Sequence, residues 1–122
     1  MSVHRSELGE NLWIIEARGR LDASGAPDLQ LQLEGLLDHG QPLLAVDFSR
    51  VSYISSSGLK VLLIALRRAR RLGGDVKLFG LRDRVREVFD MAGFDAVFQI
   101  VDNEANVAAA FAAQHAEAPR SE

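Results

Sequence analysis

Apolar residues in this chain fall into two spacings that alternate along its length. Leu12-Trp13-Ile14-Ile15-Glu16-Ala17-Arg18-Gly19 is rich in β-favouring residues and is bounded by polar residues or glycine, which predicts a strand. Glu10-Asn11 before it predicts a turn back onto an edge strand near Val3 to Leu8. After Asp22 the period changes. Leu29, Leu33, Leu36 and Leu37 stand at helical spacing behind Ser24, with Pro27 compatible with a first turn, and the helix ends near His39-Gly40. Leu43 to Phe48 is a continuous apolar run of the kind found in a central strand covered on both faces.

Beyond Ser56 the inner stripe of a long helix reads Leu59, Leu62, Leu63, Leu66, Ala69 and Leu72, and Gly73-Gly74 stops it. Asp75 to Gly80 predicts another strand. Asp83 opens a short helix through Val85, Val88, Phe89 and Met91 that Gly93 ends. Ala96 to Val101 predicts a last strand, and Asn103 to about His115 a last helix with Val107, Ala110 and Phe111 inward. This order predicts an α/β domain with a mostly parallel central β-sheet of about four or five strands and about four α-helices. Residues 1–115 are expected to form a single domain, and 116–122, small and polar around Pro119, a frayed tail.

Composition narrows the function classes. The formal net charge of −3 gives no global reason to expect nucleic acid or an anionic membrane as partner. Without cysteine there is no disulfide, thiolate catalysis or cysteine-ligated zinc, and His4, His39 and His115 share no metal-ligand spacing. The longest apolar stretch, Val61 to Leu66, falls far short of the ~20 residues that cross a bilayer. No signal-like apolar run follows Met1, so a cytoplasmic protein without membrane insertion is expected.

Candidate chemistry concentrates at Ser55-Ser56-Ser57-Gly58-Leu59, where a strand runs into a helix. The turn superficially resembles a hydrolase elbow, but it lacks the flanking glycines, and only His115 follows as a possible base. No phosphate-cradling Gly-rich loop is present. An enzyme is therefore not expected, nor a cofactor. Asp22 and Asp47 are candidate paired carboxylates, read more simply as a loop residue and a strand-end residue. Arg67, Arg68, Arg70 and Arg71 fit a solvated helix face that complements the helix dipole or, second, a surface for an acidic partner, nucleic acid being disfavoured because no aromatic residues interleave with them, and Arg82, Arg84 and Arg86 fit an exposed side of the short helix. Two readings of the serines stay open: a plain helix N-cap, or a phospho-acceptor whose added charge meets unpaired helix N–H groups.

Three motifs then carry a resemblance. Asp47-x-Ser49-x-Val51-x-x-Ile54-x-Ser56-Ser57-Gly58-Leu59 before an apolar helix, Gly19-Arg20-Leu21-Asp22, and Val85-x-x-x-Phe89-x-Met91-x-Gly93-Phe94 resemble, in order and spacing, the STAS domain of anti-sigma factor antagonists over roughly residues 3–114. The resemblance implies a STAS-like fold and a partner-switching protein. Its partners would be an anti-sigma factor that is also a serine protein kinase of the histidine-kinase-like ATPase fold, and a metal-dependent serine phosphatase. The unphosphorylated antagonist would bind the kinase and free a sigma factor. By position the resemblance implies Ser56 as phosphorylation site, with Ser55 and Ser57 as rivals, and Asp22, Ser55, Ser57, Gly58 and Leu59 at the partner surface. Many antagonists carry aspartate just before the acceptor, where this chain has Ser55, so a local negative charge is missing. Relatives outside sigma regulation imply an alternative, a non-enzymatic scaffold subunit of a stress-signalling or lipid-transport complex.

Overall fold

The computed structural model describes residues 1–117. Five strands, β1 (Ser2–Arg5), β2 (Trp13–Leu21), β3 (Leu43–Ile54), β4 (Asp75–Phe79) and β5 (Ile100–Val101), form one sheet in the order β1-β2-β3-β4-β5. β1 runs antiparallel to β2, and every other neighbouring pair is parallel. Four helices complete the fold: α1 (Ala26–Asp38), α2 (Ser56–Arg71), α3 (Asp83–Met91) and α4 (Glu104–Glu117). The predicted α/β architecture is the one observed. The predicted frayed tail lies outside the described residues from 118 onward, and 116 and 117 continue α4.

Period-two alternation sorts the strand residues onto two faces. Ile15, Ala17, Leu21, Leu44, Val46, Phe48, Val76 and Leu78 face α1, α2 and α3 in the main core. Leu12, Ile14, Leu43, Ala45 and Phe79 face α4, which covers them with Val107, Ala108 and Phe111. Phe48, Phe89 and Phe98 stack edge to face in the main core, with centroids 5.8 and 6.1 Å apart, which locks α3 against β3. On the α4 face, Lys77 is fully buried. Its Nζ donates to Asp75 Oδ2 (2.9 Å) and Gln99 Oε1 (2.7 Å) and lies 4.5 Å from the Phe111 ring centroid.

Several details differ from the periodicity. The first strand stops at Arg5, and Leu8 is exposed, because the Ser6 N–H bonds Leu12 O and Ser6 Oγ accepts the Leu8 N–H to turn the chain early. Leu72 is not part of the inner stripe. It caps α2 and is half exposed, since the helix ends one residue before it. Met91 is 88% exposed at the end of α3, where Val85 and Phe89 alone are buried. The predicted strand from Ala96 is reduced to Ile100–Val101, because the chain first turns through a short 3-10 segment, Phe94–Ala96. That turn carries Phe94 against Phe98, with ring centroids 5.9 Å apart. Apolar content there serves a turn rather than a ladder.

Candidate functional site

β3 is longer than its apolar run and delivers the serines to the rim of the sheet. Its last residue, Ile54, pairs with Leu21, the last residue of β2. Ser55 follows in extended conformation (φ −105°, ψ 178°), and its N–H donates to Leu21 O at 3.0 Å. The Ser55 hydroxyl donates to the same carbonyl at 3.3 Å, so it makes no cap bond to the α2 backbone. The plain N-cap reading is thus corrected: Ser55 stands in the N-cap position, but its hydroxyl is drawn to β2. Its carbonyl accepts the Leu59 N–H at 3.0 Å. The helix itself leaves the first-turn N–H groups of Ser56, Ser57 and Gly58 without intrahelical partners, and no acid stands in that turn.

Ser56 and Ser57 are exposed, Ser55 is half-buried, and Gly58 and Leu59 are buried. Gly58 lies where a Cβ would come within 2.6 Å of Leu21 O and 2.8 Å of Ile54 Cγ1, so glycine lets the helix start press onto the end of β2. Leu59, expected at the partner surface, packs into the core instead at 9% exposure, as the helical period demands. These two residues shape the site from beneath and present no side chain outward.

Asp22 borders the same surface. Its Oδ1 accepts the N–H groups of Ser24 (3.0 Å) and Gly25 (3.1 Å), and its Oδ2 accepts Arg20 Nε (3.3 Å). The Gly25 and Ser24 N–H bonds, helped by Arg20, hold its carboxyl below the ordinary aspartate range. Arg20 lies over the exposed Tyr53 ring, 4.3 Å from its centroid. Leu21 thus receives two bonds from Ser55 while Asp22 fixes the loop leaving it. The loop before α1 and the start of α2 are held as one unit. The suggested Asp22–Asp47 pair does not form: Asp47 aligns with Glu16 and accepts the Ser49 N–H at 2.8 Å, several rungs from Asp22.

Ser57 also opens onto a shallow groove of about 420 Å³ between α1 and α2, lined by Ala23, Ala26, Pro27, Lys60, Val61 and Ile64 among others. Periodicity did not announce this groove, although Ile64 on the outer side of α2 was a signal for it. Among the basic residues, Arg68 pairs with Asp38, and Arg70 bonds Asp75 (3.2 Å) and Val97 O (3.0 Å). Half of that cluster therefore holds the fold together. Among the described residues, no cluster of acidic and histidine side chains is placed to hold a metal, and no helix is long and apolar enough to cross a membrane.

The STAS family described as "Mlab, STAS domain" matches residues 6–102. BtrV of Bordetella bronchiseptica, named as a candidate anti-sigma factor antagonist, is 34% identical over 77% of this chain and 81% of its own length. This chain is a STAS domain protein of the anti-sigma factor antagonist family. The anti-sigma-B factor antagonist of Bacillus subtilis is another relative of this STAS protein, 31% identical over 75% of the chain and 83% of its own length. The fold agrees with a solved anti-sigma factor antagonist from Mycobacterium paratuberculosis (TM-score 0.78, 21% identity, 89% of this chain and 90% of that one). It also agrees with the Bacillus cell fate determinant SpoIIAA in its phosphorylated form (TM-score 0.63, 18% identity, 87% and 96%).

Proposed function

We propose that this STAS protein acts as an anti-sigma factor antagonist whose binding to an anti-sigma factor with serine kinase activity is switched off by phosphorylation of Ser56. The observation that carries this reading is the exposed Ser56 hydroxyl in the first turn of α2, beside a loop that Asp22 holds rigid. Ser55 is the weaker acceptor because its hydroxyl is half-buried and engaged with Leu21 O. Ser57 is exposed but opens toward the α1–α2 groove.

Phosphorylation adds about −1.5 to −2 charges at neutral pH. The helix start tolerates that charge: the first turn holds no acid, its N–H groups are free of intrahelical bonds, and Lys60 stands one turn on at i+4. The modified protein therefore stays folded, and the change is felt at the interface. A bulky dianion set into a close-packed or acidic partner surface costs several kcal/mol, and a loss of about 3 kcal/mol weakens binding more than 100-fold.

The test uses the full chain, ATP and a purified anti-sigma factor with serine kinase activity, with peptide mapping to locate the phosphate and calorimetry to measure binding. Ser56→Ala is expected to bind the kinase and resist modification, while Ser56→Asp binds more weakly by at least tenfold, a loss of about 1.4 kcal/mol. Equal affinity of the two variants, or phosphate on a distant residue, refutes the switch. Failure to bind any kinase, together with co-purification on an ATPase that transfers no phosphate, favours the scaffold subunit instead.

A further inference from the structure

Beyond Glu16, β2 and β3 extend past the reach of α4. The face that α4 covers holds Leu12, Ile14, Leu43 and Ala45 at its upper end. Below them the same face carries polar rungs. Glu16 aligns with Asp47, then Arg18 with Arg50, then Arg20 with Tyr53. Arg18, Arg20, Arg50 and Tyr53 are exposed. Arg18 and Arg50 therefore sit side by side across a strand pair, on strands about 4.8 Å apart. Neither forms an ion pair among the described residues. Like charges directly opposite each other destabilise a sheet, and among the described residues no ion pair offsets this one.

Two further arginines frame the rung. Arg20 is held in place by the Tyr53 ring and Asp22, and Arg82 by a bond from its Nε to Ser49 O at 3.1 Å. Guanidinium groups fixed this way lose little freedom on binding, and their remaining N–H donors suit carboxylates in pairs. The patch ends at Leu21 and Ile54, where the Ser56 surface begins.

We infer that the arginine face of the β2–β3 extension is a second docking surface, and that its occupant is an acidic patch on the anti-sigma factor that reads Ser56. This rests on the partner reading proposed above and adds to it the charge of the partner. Charge complementarity commits the surface to acid. The interleaved carboxylates of Glu16, Asp22 and Asp47 favour a protein, whose charges can be arranged to match, over the uniform negative surface of a duplex or an anionic membrane. The arrangement also separates two tasks: arginines steer and orient the partner, while the serine decides whether it stays.

The experiment measures the association rate and Kd of the full chain for the kinase between about 50 and 300 mM salt, with Arg18→Gln/Arg50→Gln and Arg18→Lys/Arg50→Lys as variants. The glutamine variant is expected to bind roughly tenfold more weakly at low salt, mainly through slower association, and to lose much of the salt dependence. The lysine variant retains that dependence. A thermal midpoint for the glutamine variant that is unchanged or raised, as relief of the like-charge pair allows, shows that the surface, not the fold, was weakened. Kinase binding by the glutamine variant with unchanged rate and salt slope overturns the inference and leaves the Ser56 reading standing. So does loss of binding to duplex DNA or phosphatidylglycerol vesicles while kinase binding stays intact. If the unsubstituted chain binds no kinase at any salt, both readings fall.

Discussion

Gly58→Ala isolates the contact that joins the start of α2 to the end of β2. Two opposed effects set the outcome. Alanine relieves the conformational cost of glycine in a helix, worth up to about 1 kcal/mol and less in a first turn. Against this, the new Cβ would stand 2.6 Å from Leu21 O, 2.8 Å from Ile54 Cγ1 and 3.1 Å from Leu21 Cβ. Ile54 Cγ1 can rotate away, but Leu21 O is backbone fixed by its strand pairing and by two bonds from Ser55. The helix must move outward by several tenths of an ångström, and overpacking of this kind costs roughly 1–3 kcal/mol. The clash outweighs the propensity gain, so a net destabilisation of about 1–2 kcal/mol is expected. That corresponds to a fall of roughly 3–10 °C in Tm for a chain of this size. Urea titration and a thermal melt measure it. Gly35→Ala is the matched control: Gly35 lies inside α1 with nothing within 4 Å of its Cβ position, so it is expected to gain about 0.4–1 kcal/mol. A Gly58→Ala protein as stable as Gly35→Ala would refute the close approach and, with it, the rigid seat proposed for Ser56.

Ser55→Ala is expected to cost less than about 1 kcal/mol in urea unfolding, because the hydroxyl makes one long bond to Leu21 O and caps nothing; a loss near 2 kcal/mol would restore it as a helix cap. Lys77→Ala is expected to cost about 3–5 kcal/mol, since it removes the ammonium from a buried cluster and empties the space of its stem beside Phe111, and Lys77→Met less, because methionine refills that space while Arg70 and the Val76 N–H serve Asp75 in both; equal losses for both would contradict the role of packing there. The depressed carboxyl of Asp22 sets a pH window. Its stabilising effect is fully present above the unfolded aspartate value and is lost only as pH falls through the lower folded value, so hydrogen exchange at Ser24 and Gly25 is expected to accelerate well below pH 4, and acceleration near pH 5–6 would refute it. Asp22→Asn removes that dependence while keeping the side chain's size.

Sequence alone determined the order of strands and helices, because each buried segment carries a hydrophobic period that matches its own geometry. Leu43 to Phe48 announced a strand entering a serine-led helix, and the run Ser55 to Ser57 stood out at that junction, while the choice of Ser56 among them came from the family resemblance. The same local signal misread residues whose burial is set by distant neighbours. Leu72 and Met91 looked like core, yet each falls at the end of its helix, where no facing surface remains to cover it, and Leu8, read as the end of an edge strand, lies in the turn after it. Phe98 looked like a strand residue and instead packs between Phe89 and Phe94.

Only the tertiary structure set Ser55 apart from the exposed Ser56 and Ser57, because its engagement depends on a carbonyl 34 positions earlier in the chain. It alone also set Arg18 beside Arg50, a juxtaposition fixed by parallel strand register across an intervening helix. Local patterning records which side of an element is apolar. Distances between elements follow from how the whole sheet and its helices pack, which no short window of residues contains.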